Sequence, residues 1–116
     1  MSTLHAAISN HLSLRSLRRP VQVDLVHRFE AMGSVYHVEA SCYLPNNGDA
    51  PVVRVDSADG VLNGAAKWWM GATFERLIGR VEFERLETEI VSAAIEQVEA
   101  NQRLAAAVEA LKGDGR

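Results

Sequence analysis

The sequence predicts an α+β domain: an N-terminal helix, a three-stranded antiparallel sheet and two C-terminal helices, the last one long. Three observations predict it. Apolar residues recur at every second position through most of Val21–Val55, they recur at helical spacing from Leu62 onward, and no Gly or Pro interrupts the chain from Arg80 to Lys112. With 116 residues, 47% of them hydrophobic and 23% charged, the chain closes one core without disulfides or metal. One domain over residues 1–116 is therefore expected, made of a basic helix at 1–19, a β-meander at 20–57 and a helical part at 60–112.

Leu4, Ile8 and Leu12 recur every four residues, with Ser2 or Thr3 placed to cap the first turn, and Pro20 stops the helix. Arg15, Arg18 and Arg19 fall in its last turn, where positive charge suits the carbonyl end of the helix dipole. This stretch lacks the apolar centre of a secretory signal, although its arginines, serines and want of acids are also the composition of an organelle transit peptide.

Val21, Val23, Leu25, His27 and Phe29 share one face of the first strand. Tyr36, Val38, Ala40, Cys42 and Leu44 share one face of the second, with Gly33 and Ser34 between the two runs. Residues 45–51 are rich in turn formers, and a short third strand follows at Val52–Val55. Asp59 is the expected N-cap of a helix over about 60–78, with Leu62, Ala66, Trp69 or Met70, Phe74, Leu77, Ile78 and Val81 at helical spacing; Gly64 and Gly71 each cost about 1 kcal/mol inside it, and Trp68–Thr73 also fits an extended segment. Gly79 breaks the chain before the long helix. Thirty residues of helix reach about 45 Å, more than a domain of this size is wide, so part of the helix overhangs. Its stripe Phe83, Leu86, Ile90, Ala93, Gln97, Ala100, Leu104, Ala107 and Leu111 reads as a helix–helix seam, unless a break near Asn101-Gln102 folds the end back.

Known catalytic patterns are incomplete. His37-Val38-Glu39 matches half of the zinc-deaminase pattern, but the Pro-Cys-x-x-Cys half is missing, and Cys42 is the sole cysteine. Gly60 and Gly64 lack the Gly-Lys-Ser/Thr ending of a phosphate loop. No cofactor, metal or catalytic residue is expected, and no apolar run is long enough for a membrane helix. A single cysteine places the chain by default in the reducing cytoplasm.

The expected order of helix, three strands and helix resembles the double-stranded-RNA-binding domain over residues 3–78, in topology alone. That family grips phosphates with a lysine cluster opening its last helix; here Asn63–Trp69 offers only Lys67. Charge is uneven, with four Arg against one Asp in residues 1–28, so nucleic-acid contact on this reading falls to Arg15, Arg18, Arg19 and Arg28. A second alternative is a small-ligand binder or enzyme with a pocket between sheet and helix lined by His27, Tyr36 and Trp69.

The favoured expectation is a non-enzymatic protein-binding module, homodimeric through the last helix, acting as a cytoplasmic adaptor or inhibitor. Phage and mobile-element accessory proteins that dock on host complexes belong to this class. Adjacent indoles at Trp68 and Trp69 point about 100° apart on a helix, so one of them is free to join Met70 and Arg76 at an interface. Glu87 marks the acidic face of the long helix, and Leu104 and Leu111 mark the overhanging seam. These seven residues are the binding candidates.

Overall fold

The computed structural model describes residues 19–114. It is an α+β domain: strands β1 (Val21–Ala31), β2 (Ser34–Leu44), β3 (Val52–Leu62) and β4 (Ala65–Met70), then helices α1 (Gly71–Ile78) and α2 (Arg80–Asp114). The strands form one antiparallel sheet in the order β1-β2-β3-β4. The helix expected over residues 1–19 lies, apart from Arg19, outside the described residues.

Alternation builds the first hairpin as its sequence requires. Val23, Phe29 and Ala31 of β1 and Tyr36, Val38, Ala40, Cys42 and Leu44 of β2 are buried on one face, while Gln22, Asp24, Val26, Arg28 and Glu30 are exposed on the other. Ala31 pairs with Ser34, so the turn is Met32-Gly33, one residue earlier than expected; both have positive φ, 52° and 74°.

Four strands rather than three is the main correction to the expected fold. The helix predicted over 60–78 is instead the second half of β3, a tight turn, β4 and a short helix. Asn63 and Gly64 lie at φ 53° and 77°, the left-handed pair that a two-residue hairpin of type I′ demands, and Leu62 pairs with Ala65 across them. Gly60 has a packing role within the strand: a Cβ there would lie 2.7 Å from Cδ1 of Tyr36, whose buried ring covers it. Asp59 caps no helix but sits in the β3 ladder opposite His37 and Trp68.

Only after Met70 does the chain turn helical. Gly71 makes that turn possible, since a Cβ there would stand 1.9 Å from the Val55 carbonyl oxygen. Gly79, at φ 86°, then separates α1 from α2. The alternative break near Asn101-Gln102 does not occur: α2 is continuous over its 35 residues, about 52 Å at the rise of an α-helix.

The helices cover one face of the sheet, α2 over β1 and β2 and α1 against β3 and β4. Leu86, Ile90, Val91, Ala94, Ile95 and Val98 of α2, with Phe74 and Ile78 of α1, close the core on the inner faces of the strands. At about 25 cal/mol per Å² of apolar surface this burial is the main term holding the layers together.

Candidate functional site

The pocket envisaged between His27, Tyr36 and Trp69 is filled. Tyr36 meets Phe74 edge-on at 5.0 Å between ring centroids and Trp69 at 5.8 Å, and Trp69 and Phe74 lie 6.0 Å apart. His27 is directed to the layer boundary, where its Nε2 lies 2.8 Å from Glu89 Oε1. Nearby, the Arg85 guanidinium sits 4.3 Å from the Phe29 ring centroid, donates to both Glu82 and Glu89, and reaches the Glu30 carbonyl. These contacts clamp the start of α2 to the end of β1. Burial removes Cys42 from chemistry by pushing its thiol up to about 11. Among the described residues, no three His, Cys, Asp or Glu side chains gather as a metal site would need, and no helix is long and apolar enough to cross a membrane.

Two apolar surfaces stand out among the described residues. The first is the uncovered face of the sheet. The register aligns Arg28, His37, Asp59 and Trp68 in one row across the four strands, Val26, Glu39, Ser57 and Met70 in the next, and Glu30, Val35, Val61 and Ala66 on the other side. Two ion pairs on this face neutralise their charges locally, Arg28 with Glu30 at 2.6 Å and Arg54 with Asp56 at 2.9 Å, and His37 Nδ1 lies 3.5 Å from Asp59. Toward β4 the face becomes apolar. Trp68 and Met70 are each 63% exposed, Val61 is also exposed, and a shallow hollow runs from Val35 to Trp68.

On a strand, neighbouring side chains take opposite faces, so Trp68 and Trp69 part completely. Trp68 joins Met70 outside, while Trp69 is half-buried inside. Arg76, expected in the same patch, is exposed on α1, on the helical side of the sheet. Glu87 is half-buried on α2, and burial first, then repulsion from Glu75 and Glu84, raises its carboxyl above the usual range against the pull of Arg80. It belongs to neither surface.

The second surface is the end of α2. Val98 is the last buried residue of the helix, and every residue from Ala100 to Lys112 is exposed, including Leu104, Val108 and Leu111. The contacts of Arg85 with Glu30 and of Glu89 with His27 show that α2 runs antiparallel to β1. From His27 to Val21 is about 20 Å of strand, whereas from Glu89 to Asp114 is about 38 Å of helix. The helix therefore leaves the sheet near residue 102 and projects about 18 Å beyond it, in a molecule measuring 60 × 34 × 20 Å. Around this projection Ala105, Val108, Leu104, Leu111, Ala100 and Ala107 span an apolar arc of about 160° at 100° per residue, interrupted by Asn101 and Lys112. Val108, absent from the seven binding candidates, completes the ridge; its spacing of four from Leu104 marks it.

The nucleic-acid reading loses its topological basis, since β4 stands where the second helix of the double-stranded-RNA-binding domain was expected. Arg28 is paired with Glu30 on the sheet face, and Arg15 and Arg18 lie outside the described residues. No family model, curated protein or solved structure matches the chain.

Proposed function

We propose that the chain is a non-enzymatic protein-binding module that works as a homodimer, two copies meeting along the projecting end of α2. The carrying observation is the ridge of Leu104, Val108 and Leu111, which is exposed to solvent on a helix that continues beyond the fold it belongs to. Among the described residues nothing covers this stripe, so it gains by burial against a partner. A second copy supplies the simplest match, because a two-fold axis sets the same ridge against itself. Small residues at Ala100 and Ala107 beside Leu104 and Leu111 let two such helices approach closely.

The filled space between sheet and helices supports a role without chemistry of its own. In this reading the uncovered β4 side of the sheet, with Trp68 and Met70, is the surface on which a cytoplasmic adaptor or inhibitor would meet its target. Sedimentation velocity of wild type and of the Leu104→Glu, Leu111→Glu double variant tests the dimer. The reading expects the wild type to sediment as a dimer and the variant, with its sheet intact by circular dichroism, as a single chain. Identical sedimentation of the two proteins would overturn it.

A further inference from the structure

We propose that the open edge of β4 takes up an extended segment of the target protein as a fifth strand, antiparallel to Ala65–Met70 and with an acidic residue opposite Lys67. This rests on the reading of the β4 side of the sheet as the target surface, and names what that surface recognises.

The free edge follows from the register. A two-residue type I′ hairpin closes on a hydrogen-bonded pair, here Leu62 with Ala65, and hydrogen-bonded and non-hydrogen-bonded pairs alternate from there. Lys67 and Trp69 therefore exchange backbone bonds with Gly60 and Ala58, while Ala66 and Trp68 turn their N–H and C=O groups away from β3. β4 is the last strand of the sheet, and among the described residues no protein group meets these donors and acceptors. They repeat along the edge at the two-residue spacing of a strand, about 6.8 Å, and another extended backbone satisfies them together. The edge is lightly guarded. Ala65-Ala66-Lys67-Trp68-Trp69-Met70 has no Pro, pairs with β3 without a bulge and carries one charge, that of Lys67.

Side chains on the two faces define the sequence of the added strand. On the outer face, Ala66 is the small side chain beside Val61 in the shallow hollow, so a large apolar residue opposite it enters the hollow, and a β-branched residue packs beside Trp68. On the inner face, Lys67 is exposed and has no ion-pair partner among the described residues, so an acid is favoured opposite it. Further along that face Trp69 is half-buried, and Leu77 lies on the flank of α1 toward β4. Glu75, about 200° round the helix from Leu77, pairs with Arg80 and repels Glu87 of α2, which turns the other flank of α1 to α2. Trp69 and Leu77 together cover an apolar residue opposite Trp69. From Met70 back to Ala66, the matching strand is Thr-Val-Val-Glu-Leu.

The probe is a fluorescein-labelled peptide, Ser-Thr-Val-Val-Glu-Leu-Ser, titrated with the full-length protein by fluorescence anisotropy. Half-saturation is expected below about 1 mM protein. The second Val of the peptide faces Trp68 and donates its N–H to the Trp68 carbonyl, whereas the N–H of its Glu points away from β4. N-methylation of that Val is expected to weaken binding about 10-fold, and N-methylation of Glu by less than about 2-fold. Exchanging the peptide Glu for Lys is expected to weaken binding to the wild type about 3-fold and to strengthen binding to the Lys67→Glu protein. The Leu104→Glu, Leu111→Glu protein is expected to bind as the wild type does, so failure of the dimer and failure of this site read separately. Absence of saturation by about 1 mM, or equal effects of the two methyl groups, would overturn the added strand. Equal methyl effects together with weaker binding by Trp68→Ala would do so while keeping the β4 side as the target surface.

Discussion

His27 Nε2 lies 2.8 Å from Glu89 Oε1, joining the middle of β1 to the third turn of α2. With Arg85 bound to the Glu30 carbonyl one turn earlier, this contact fixes both the direction and the axial position of the long helix on the sheet. The length of the projection follows from that position. Removing Glu89 leaves the half-buried His27 ring without this partner, whereas removing His27 leaves Glu89 with Arg85 alone. His27→Ala and Glu89→Ala are each expected to cost about 1 kcal/mol, and the double variant less than their sum. Urea melts of the four proteins check the coupling; strict additivity would show that the pair contributes nothing.

Gly71 and Gly64 separate two reasons for glycine. Gly71→Ala drives a Cβ into the Val55 carbonyl, and is expected to cost about 3 kcal/mol by forcing α1 off β3. Gly64→Ala meets open space and suffers only the left-handed φ of 77°, for about 1 kcal/mol. Thermal unfolding ranks the two, and a reversed order would contradict the packing of α1 on the sheet.

The paired indoles divide stability from exposure. Trp69→Ala removes a ring packed on Tyr36 and Phe74 and is expected to cost about 3 kcal/mol. Trp68→Ala removes an exposed ring and should change stability by less than about 0.5 kcal/mol. In the complementary fluorescence experiment, the remaining emission of the Trp69→Phe protein is red-shifted and strongly quenched by acrylamide, whereas that of the Trp68→Phe protein is blue-shifted and protected.

Glu87 sets a pH dependence of definite sign. Burial raises its carboxyl in the folded chain, so folding holds its proton more tightly than the unfolded chain does, and the group costs stability once pH has risen through that raised value. Glu87→Gln is therefore expected to stabilise the protein at pH 7, with a gain that shrinks as pH falls through the raised value and vanishes below the ordinary carboxylate range. Arg80→Gln, which removes the opposing positive charge, should enlarge the cost. Denaturation midpoints from pH 3 to 7.5 would reveal the trend, and a pH-independent difference would refute it.

The first two strands were legible because every second residue from Val21 to Phe29 and from Tyr36 to Leu44 chose the same side. β3 was read as ending at Val55 for a local reason. Glu39 pairs with Ser57 and Ala40 with Val55, leaving Asp56 as an extra residue, and this bulge puts Asp56 and Ser57 together on the outer face. The period of two restarts out of phase beyond it, at Ala58 and Gly60. From there Leu62, Ala66, Phe74 and Leu77 also satisfy a helical period, in which Gly64 counts only as a cost and not as half of an Asn63-Gly64 turn. With β4 unseen, Trp68 and Met70 could not be recognised as neighbours on one face, nor Trp69 as part of the core. The projection of α2 was legible at Leu104 and Leu111, because an unbroken run from Arg80 to Lys112 is longer than any sheet of these strands. Its exact point of departure depends on the His27–Glu89 anchor, which joins residues 62 positions apart.

Molar mass in solution, measured by light scattering across a hundredfold range of concentration around about 10 μM, tests the central claim most directly. Self-association along the α2 ridge predicts a mass that rises to twice the 12.7 kDa of one chain. A mass that stays at 12.7 kDa throughout would contradict it.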